Sequence, residues 1–160
     1  MKEINTGTTA ILFENINQLP DVDKDLMKVA VNATKNAYAP YSGFHVGAAI
    51  LMDDNTIVTG NNQENAAYPS GMCAERVAIW KASSSFPNKK VIKIAIAAIS
   101  SNKKLDRPVG PCGACRQALY EYEVKQAKDV EVIFMGEVGN VVKTNSIASL
   151  LPFSFDKSYL

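Results

Sequence analysis

The stretch VIKIAIAAI, residues Val91 to Ile99, decides the fold of this chain. All but one of its residues are apolar, and the stretch is as long as a strand but far shorter than a membrane span. A nearly continuous apolar run of this length is typical of a central strand that is covered on both faces. The stretch therefore predicts a sheet with helices packed on each side of it.

The residues before this strand predict a helix, a hairpin and a second helix. Apolar side chains recur at helical spacing over residues 21–38, and alternation predicts a strand from Phe44 to Met52. Residues 53–55 have the composition of a tight turn, so a return strand is expected over residues 56–60. The mostly apolar residues 74–83 predict a deeply buried helix.

The residues after the central strand predict a third helix and two further strands. The helix is expected over residues 112–122 and the strands over residues 130–135 and 141–144, followed by a short helix at 146–150. This order of elements predicts an α/β fold, a three-layer α/β/α sandwich around a mixed sheet of about five strands.

The first 20 residues are interpreted as an N-terminal extension of a domain that covers residues 21–160. Their alternation of side chains is weak, and it favours an extra edge strand. The alternating positions are Ile4, Thr6, Thr8, Ala10 and Leu12.

Composition limits the classes of function. Of the 160 residues, 47% are hydrophobic, which is enough for one domain with its own core. A formal net charge of +1 without a basic stripe argues against a nucleic-acid polymer as partner. No apolar run is long enough to cross a membrane, and no secretory signal is expected. Three cysteines in metal-like spacing suit a reducing compartment, so we expect a cytoplasmic protein.

All three cysteines lie at the predicted starts of the second and third helices. They occur in the motifs CAER, which begins at Cys73, and PCGACR, which contains Cys112 and Cys115. Three thiolates fill three corners of a zinc tetrahedron and leave the fourth open to water, as in catalytic zinc sites. Glu75 is then close enough to move protons to and from that water. A zinc ligand followed by x-Glu and later by Pro-Cys-x-x-Cys is the established signature of zinc deaminases of nucleobases.

The spacing of these residues makes a geometric prediction. Cys73 and Glu75 are two residues apart, so on a regular helix their side chains would point to nearly opposite sides. We therefore predict that Cys73 lies at the cap of its helix, whereas Cys112 and Cys115 present both sulfurs on one face. Gly113 is expected to allow a tight turn between them.

Positive charge beside the thiolates is expected from two sources. Helix N-termini stabilise thiolates and lower the pKa of cysteine. Arg76 is expected to donate hydrogen bonds to the sulfurs that bind the metal, and Arg116 is a second candidate for this role.

Two other interpretations of the cysteines remain open. A redox dithiol formed by Cys112 and Cys115 would leave Cys73 and Glu75 without a role. A structural zinc site would need a fourth protein ligand. The only histidine, His45, falls in a predicted strand on the side opposite its apolar face, which argues against it as that ligand.

The chain resembles the small, homotetrameric, three-cysteine type of zinc-dependent cytidine deaminase from about residue 21 to residue 155. Each shared segment alone would be weak evidence, but together and in this order they are specific. Besides the two cysteine motifs, the segments are AYAPYSGF at 37–44, VGAA at 46–49, NQENAAY at 62–68 and LLP at 150–152.

The resemblance implies one Zn²⁺ per subunit, bound by Cys73, Cys112 and Cys115, with Glu75 as the group that carries protons. It implies hydrolytic deamination of cytidine and 2′-deoxycytidine to uridine and 2′-deoxyuridine in pyrimidine salvage, by a homotetramer with shared active sites. Rival interpretations are a deaminase of a cytosine-bearing antibiotic or modified nucleoside, and a zinc-stabilised binding protein without turnover.

The resemblance also implies roles for residues that contact the nucleoside. Phe44 matches the aromatic residue that stacks on the pyrimidine ring. Asn62 and Glu64 match the pair that hydrogen-bonds the ribose 3′-hydroxyl. A site built to bind a hydroxyl disfavours ligands without one, so free cytosine is expected to be a poor substrate.

Three more positions match parts of the family that lie near the base or between subunits. Ala66 matches a residue whose backbone helps to hold the base, and Tyr68 matches a residue at the subunit junction. Phe155 matches the aromatic residue that one subunit lends to the active site of its neighbour, with Phe153 as a nearby alternative.

Overall fold

A mixed sheet forms the middle layer of the protein. The structure is a computed structural model that describes all residues from 1 to 160. The strands are arranged in the order β1-β6-β5-β4-β2-β3, and only β4 and β5 run parallel to each other. The strands are β1 (Ala10–Phe13), β2 (Phe44–Met52), β3 (Ile57–Asn61), β4 (Val91–Ser100), β5 (Glu131–Met135) and β6 (Val141–Thr144).

Helices cover the sheet on both faces. Helix α1 packs on one face, against small and branched side chains of β2, β4 and β5. The other two helices pack on the opposite face over a second apolar cluster. The predicted three-layer α/β/α sandwich is therefore confirmed. The helices are α1 (Asp21–Ala33), α2 (Ala74–Ser85) and α3 (Gly113–Gln126).

Strand β4 lies where the apolar stretch from Val91 to Ile99 predicts it. Ile94 and Ile96 point into the cluster under α2 and α3, whereas Ala95 and Ala97 point towards α1. All four side chains are buried. Alternation along a strand sends successive side chains to opposite faces, so both faces of β4 contribute to the core.

The sheet has six strands, whereas the sequence predicts about five and favours an extra edge strand in the first 20 residues. The additional strand is β1, which pairs antiparallel with β6 at the edge of the sheet. Weak alternation begins at Ile4, but residues 1–9 carry no regular secondary structure. The division of the chain at residue 20 stays a prediction. No helix has the length and hydropathy that would let it cross a membrane.

Helix α3 continues to Gln126, past the predicted end at Tyr122. Its last turn contains Glu123, which is buried although its residue type suggests a solvated position. The carboxylate of Glu123 accepts hydrogen bonds from the backbone N–H groups of Ile147 and Ala148, at 2.8 and 2.9 Å, so the helix end holds the turn that follows β6. A charged residue in this role is not visible in an apolar pattern.

Candidate metal centre and active site

Two helices begin at the same point of the molecule. Cys73 is the N-cap of α2 and has extended backbone angles, φ −74° and ψ 151°. Cys112 is the N-cap of α3, and Cys115 lies in the first turn of that helix. Cys73 therefore lies outside the regular helix, as its spacing from Glu75 predicts.

The three sulfurs converge. Their Sγ atoms all lie within 4.8 Å of one another, and those of Cys112 and Cys115 are 3.4 Å apart. Four ligands at the usual Zn–S distance of about 2.3 Å form a tetrahedron with edges of about 3.8 Å, so this spacing fits one zinc ion. The cluster contains no fourth His, Cys, Asp or Glu. His45 lies elsewhere, with its Nε2 atom 3.3 Å from the hydroxyl of Ser101.

The electrostatics of the cluster also fit a cation. Hydrogen bonding by the Cys115 thiol lowers the pKa of the Cys73 thiol to about 5, with Arg76 contributing. Because Cys115 gives its hydrogen to Cys73, the pKa of the Cys115 thiol is raised. The lowered pKa favours the thiolate form of Cys73, which is the form of cysteine that binds a metal. A Zn²⁺ ion would replace the shared proton and relieve the repulsion among three sulfurs.

Glu75 lies beside the sulfurs in the first turn of α2 and is only 5% exposed. Burial raises the pKa of its carboxyl group, and the negative charge of Cys73 adds to the increase. General acid–base catalysis is most efficient when the pKa of the group lies near the working pH, and the pKa of Glu75 is shifted in that direction. The arrangement therefore combines a metal-binding cluster with an acid–base group.

The two arginines make different contacts. Arg76 donates from Nη2 to the Sγ atom of Cys73, at 3.4 Å, and its guanidinium lies 5.9 Å from the ring centroid of Trp80. Arg116 bonds carbonyl oxygens instead of sulfur. Its Nε donates to Pro111 at 2.8 Å, and its Nη1 donates to Leu150 at 3.0 Å. Arg116 thus hydrogen-bonds the backbone of Pro111, the residue before Cys112, and does not contact a sulfur atom through a hydrogen bond.

Gly113 does not have the role that the sequence suggests. It has no positive φ, and a Cβ atom at this position would meet nothing within 4 Å. The expected tight turn is therefore not what requires glycine here. The N-terminus of α3 forms with ordinary helical geometry between Cys112 and Cys115.

Cys73, Cys112 and Glu75 border a cavity of about 640 Å³, whereas Cys115 is buried behind them. It lies between the start of α2, the segment before β2 and the segment after β3. Of the predicted substrate-binding residues, Phe44, Asn62, Glu64 and Tyr68 line it, whereas Ala66 and Phe155 do not. The other lining residues are Tyr41, Ser42, Val46, Gln63, Asn65, Gly71, Met72, Ala74, Arg76, Ile96, Val109 and Gly110.

The side chain of Asn62 already makes two hydrogen bonds to the backbone of β2. Its Oδ1 accepts from the N–H of Val46 at 2.7 Å, and its Nδ2 donates to the carbonyl of Phe44 at 2.9 Å. The side chain therefore prolongs the pairing of β2 with β3 beyond Asn61, the last paired residue of β3. One amide hydrogen and one acceptor lone pair remain for a ligand.

Glu64 accepts three hydrogen bonds from one short loop. The backbone N–H groups of Tyr41 and Ser42 donate at 2.9 and 3.3 Å, and the Ser42 hydroxyl donates to the other carboxylate oxygen. The Ser42 bond is the main reason why the pKa of Glu64 lies below its usual value. Sequence reasoning assigned no role to Ser42, although it lies in the shared segment AYAPYSGF. The partners are more than twenty residues apart in the chain.

The remaining predicted residues lie on the outside of the chain. Ala66 is exposed, so its predicted backbone contact with a base stays a prediction. Tyr68 is 76% exposed and meets Tyr41 edge to face at 6.2 Å. Phe155 is 56% exposed and stacks on Tyr159 at 5.5 Å, and Phe153 is 84% exposed. These aromatic side chains project away from the core of their own chain.

Comparison with known proteins gives consistent results. A family model described as "Cytidine and deoxycytidylate deaminase zinc-binding region" matches residues 20–130. The cytidine deaminase of Halalkalibacterium halodurans is 40% identical over 130 residues, which are 81% of this chain and 91% of that protein. The cytidine deaminase of Sporosarcina psychrophila is 38% identical over 140 residues, 88% of this chain and 95% of that protein.

A solved structure agrees with the sequence relatives. The crystal structure of cytidine deaminase from Burkholderia pseudomallei matches with a TM-score of 0.71 and 36% identity, over 82% of this chain and 97% of that one. The family match includes all three cysteines and Glu75. With its sandwich fold and its cluster of three sulfurs, this chain belongs to the cytidine and deoxycytidylate deaminase family.

Proposed function

We propose that the protein hydrolyses cytidine and 2′-deoxycytidine to uridine and 2′-deoxyuridine with release of ammonia, as part of pyrimidine salvage in the cytoplasm. The observation that carries the proposal is the buried Glu75 carboxyl beside three convergent sulfurs at the wall of the cavity. The cavity, about 640 Å³, is of a size typical for small-molecule sites. Two relatives that are 40% and 38% identical to this chain are cytidine deaminases, which supports the same reaction.

Cys73, Cys112 and Cys115 would hold the metal. When bound, the zinc ion supplies Lewis-acid activation of a water molecule. Glu75 takes a proton from the attacking water and delivers it to ring N3 of the base. A bond from the water oxygen to C4 forms, and the bond from C4 to the exocyclic nitrogen breaks. Glu75 then carries the second proton to the departing amine, so that ammonia leaves and a carbonyl group remains at C4.

Phe44, Asn62 and Glu64 would hold the nucleoside. The Phe44 ring lines the cavity and is proposed to stack on the pyrimidine. Glu64 has about four lone-pair positions and already accepts three hydrogen bonds, which leaves room for one sugar hydroxyl. The free amide hydrogen of Asn62 can complete the contact with the ribose.

We also propose that the protein is a homotetramer in which subunits share active sites. The exposed Tyr68 borders the cavity and would lie at a subunit junction. The exposed Phe155 would enter the cavity of a neighbouring subunit, which is consistent with its position outside the cavity of its own chain.

The proposal is tested by the loss of the cytidine absorbance band, measured with the zinc-loaded wild-type protein and with Glu75→Gln. We expect the wild type to convert cytidine. The variant should keep its zinc and its fold but lose about 10²–10⁴-fold in kcat, because the amide can no longer carry a proton. Near-normal turnover of the variant would contradict the role of Glu75. A folded, zinc-loaded wild type that leaves cytidine and 2′-deoxycytidine unchanged would contradict the proposed reaction.

A further inference from the structure

The loop that leads into β2 is fixed by contacts with residues far away in the chain. Gly43 has a positive φ of 62°, which folds the backbone so that the next amide returns towards the preceding side chain. The Gly43 N–H donates to the carbonyl of Ala39 at 3.0 Å. The Ser42 carbonyl accepts a hydrogen bond from the side-chain amide of Asn102 at 2.9 Å. The loop therefore has a defined shape although Ser42 itself is exposed.

The Ser42 hydroxyl connects two groups that line the cavity. It donates to the carboxylate of Glu64 and accepts from the backbone N–H of Phe44, at 3.0 Å. Glu64 and Phe44 belong to different segments, one after β3 and one at the start of β2. No other side chain hydrogen-bonds both of them. One hydroxyl thus links the Glu64 carboxylate directly to the backbone of the residue that carries the aromatic ring.

We infer that Ser42 is a positioning residue that holds Glu64 and Phe44 at the separation a pyrimidine nucleoside requires. The inference rests on the proposed function, in which Phe44 contacts the base and Glu64 contacts the sugar. Base and sugar are joined by one covalent bond that limits the distance between them, so their two binding groups must be held at a matching separation. Ser42 does this without touching the reacting atoms. Its removal should therefore weaken binding of the substrate and of the transition state equally.

The first test compares Ser42→Ala with the wild type in steady-state kinetics on cytidine. We expect KM to rise about tenfold, since a hydrogen bond to a charged group is lost, while kcat stays within about twofold. Ser42→Thr, which keeps the hydroxyl, should restore KM to near the wild-type value. Ser101→Ala is the matched control, because the Ser101 hydroxyl lies beside the same loop but contacts His45. The control should leave KM, kcat and the melting temperature unchanged.

A double-variant cycle tests whether Ser42 acts through Glu64. If it does, kcat/KM of Ser42→Ala/Glu64→Ala should equal that of Glu64→Ala alone. If the double variant loses kcat/KM by the product of the two single losses, the two residues act independently and the inference is overturned. The inference is also overturned by a Ser42→Ala variant that behaves like Ser101→Ala, or by one that loses kcat and melting temperature together. A zinc-loaded wild type that does not deaminate cytidine would overturn the proposed function as well as the inference, and so is distinct from these outcomes.

Discussion

Arg76 brings the positive charge of one side chain to the edge of the sulfur cluster. Its hydrogen bond to Cys73 stabilises the thiolate form, and protons compete with zinc for thiolates. Arg76→Gln should therefore raise the pKa of the Cys73 thiol above its value of about 5. Because protons then displace the metal more easily, we expect half-loss of zinc to occur at a higher pH than in the wild type. The measurement is the zinc retained after dialysis against a chelator over a series of pH values.

Arg107→Gln is the control for this prediction. Arg107 is exposed and does not line the cavity, so the change removes the same charge without touching a sulfur. It should leave the zinc-loss curve where it is in the wild type. Coinciding curves for Arg76→Gln and the wild type would show that the bond to Cys73 has no influence on metal binding.

The contacts of a single residue can be predicted from the sequence when its partners are near in the chain or belong to the same motif. The spacing of Cys73 and Glu75 is enough to predict the helix cap that the structure shows. The contacts of Arg116 are not predictable in this way, because one of its partners, Leu150, is 34 residues away. The same limit hides Ser42, whose partner Glu64 lies on another segment.

At the scale of elements, Gly60 sets how closely helix α2 approaches strand β3. A Cβ atom on Gly60 would lie 2.5 Å from the carbonyl oxygen of Ala74 and 2.5 Å from the amide nitrogen of Ala78. Both are backbone atoms of α2, so the helix would have to move. Gly60→Ala should lower stability by about 1–3 kcal/mol and should weaken zinc binding, because Cys73 moves with the helix. Urea unfolding and competition with a chelator measure the two effects.

Gly113→Ala provides the comparison for Gly60→Ala. A Cβ atom on Gly113 has free space, and the residue lies in the first turn of α3. Alanine reduces the entropy of the unfolded chain, so stability should stay the same or rise by about 0.4–1 kcal/mol. Equal destabilisation by the two substitutions would contradict the close contact of α2 with β3 as the cause.

The elements themselves are predictable where one physical signal dominates. Strand β2 has the bounds that alternation predicts, from Phe44 to Met52, since one face packs against α2 and α3. Helix α3 is longer than predicted, and the apolar pattern misses its last turn because the buried residue there is Glu123, whose partners are backbone groups after β6. The parallel pairing of β4 with β5 depends on how the chain crosses over through α3, which the pattern of a single strand does not contain.

At the scale of the whole molecule, a buried network of charges joins α1 to three strands. Asp23 is 1% exposed, and its carboxylate lies 2.5 Å from the Nζ atom of Lys93 and 2.8 Å from that of Lys143. Both lysines also lie near Glu131, at 2.9 and 3.0 Å. Burial by itself would raise the pKa of Asp23, but the bonds from the two lysines outweigh it and the pKa is lowered. The pKa of Glu131 is also lowered, because its bonds to the same two lysines outweigh burial.

A carboxyl group whose pKa is lowered in the folded protein stabilises the fold at any pH above its ordinary pKa, which is 3.8 for Asp23 and 4.5 for Glu131. This stabilisation is lost as the pH falls below that value. Asp23→Asn removes one of these groups and leaves two buried lysines short of negative charge. It should lower stability by about 3–5 kcal/mol at pH 7 and flatten the acid dependence below about pH 3.8, the ordinary pKa of the aspartate that is removed. Urea unfolding from pH 7 to pH 3, at fixed protein and zinc concentrations, measures both. Asp25→Asn, in an exposed pair with Lys28 on the same helix, should change little.

Phe155 tests whether active sites are shared between subunits. The tail that carries it is anchored to its own chain, because the Phe155 carbonyl accepts a hydrogen bond from Gln117 at 2.9 Å, yet the ring stays outside the cavity of that chain. If the ring completes a neighbouring site, Phe155→Ala should raise KM about tenfold, which corresponds to about 1.4 kcal/mol and is within the loss expected when a strongly contributing interface residue is truncated. Phe153→Ala should have little effect, and the reverse result would assign the role to Phe153.

If the protein assembles into the proposed tetramer, mixed assemblies of two variants separate a shared site from a site within one chain. Phe155→Ala and Glu75→Gln subunits are each defective, but a site built from Glu75 of the first and Phe155 of the second contains both groups. Dissociating and reassembling the two variants together should therefore give more activity at low cytidine concentration than the sum of the separate proteins. If both groups act within one chain, every chain in the mixture carries one defect and no activity is gained. A mixture that only equals the sum would thus contradict the shared site, even if Phe155→Ala alone raises KM.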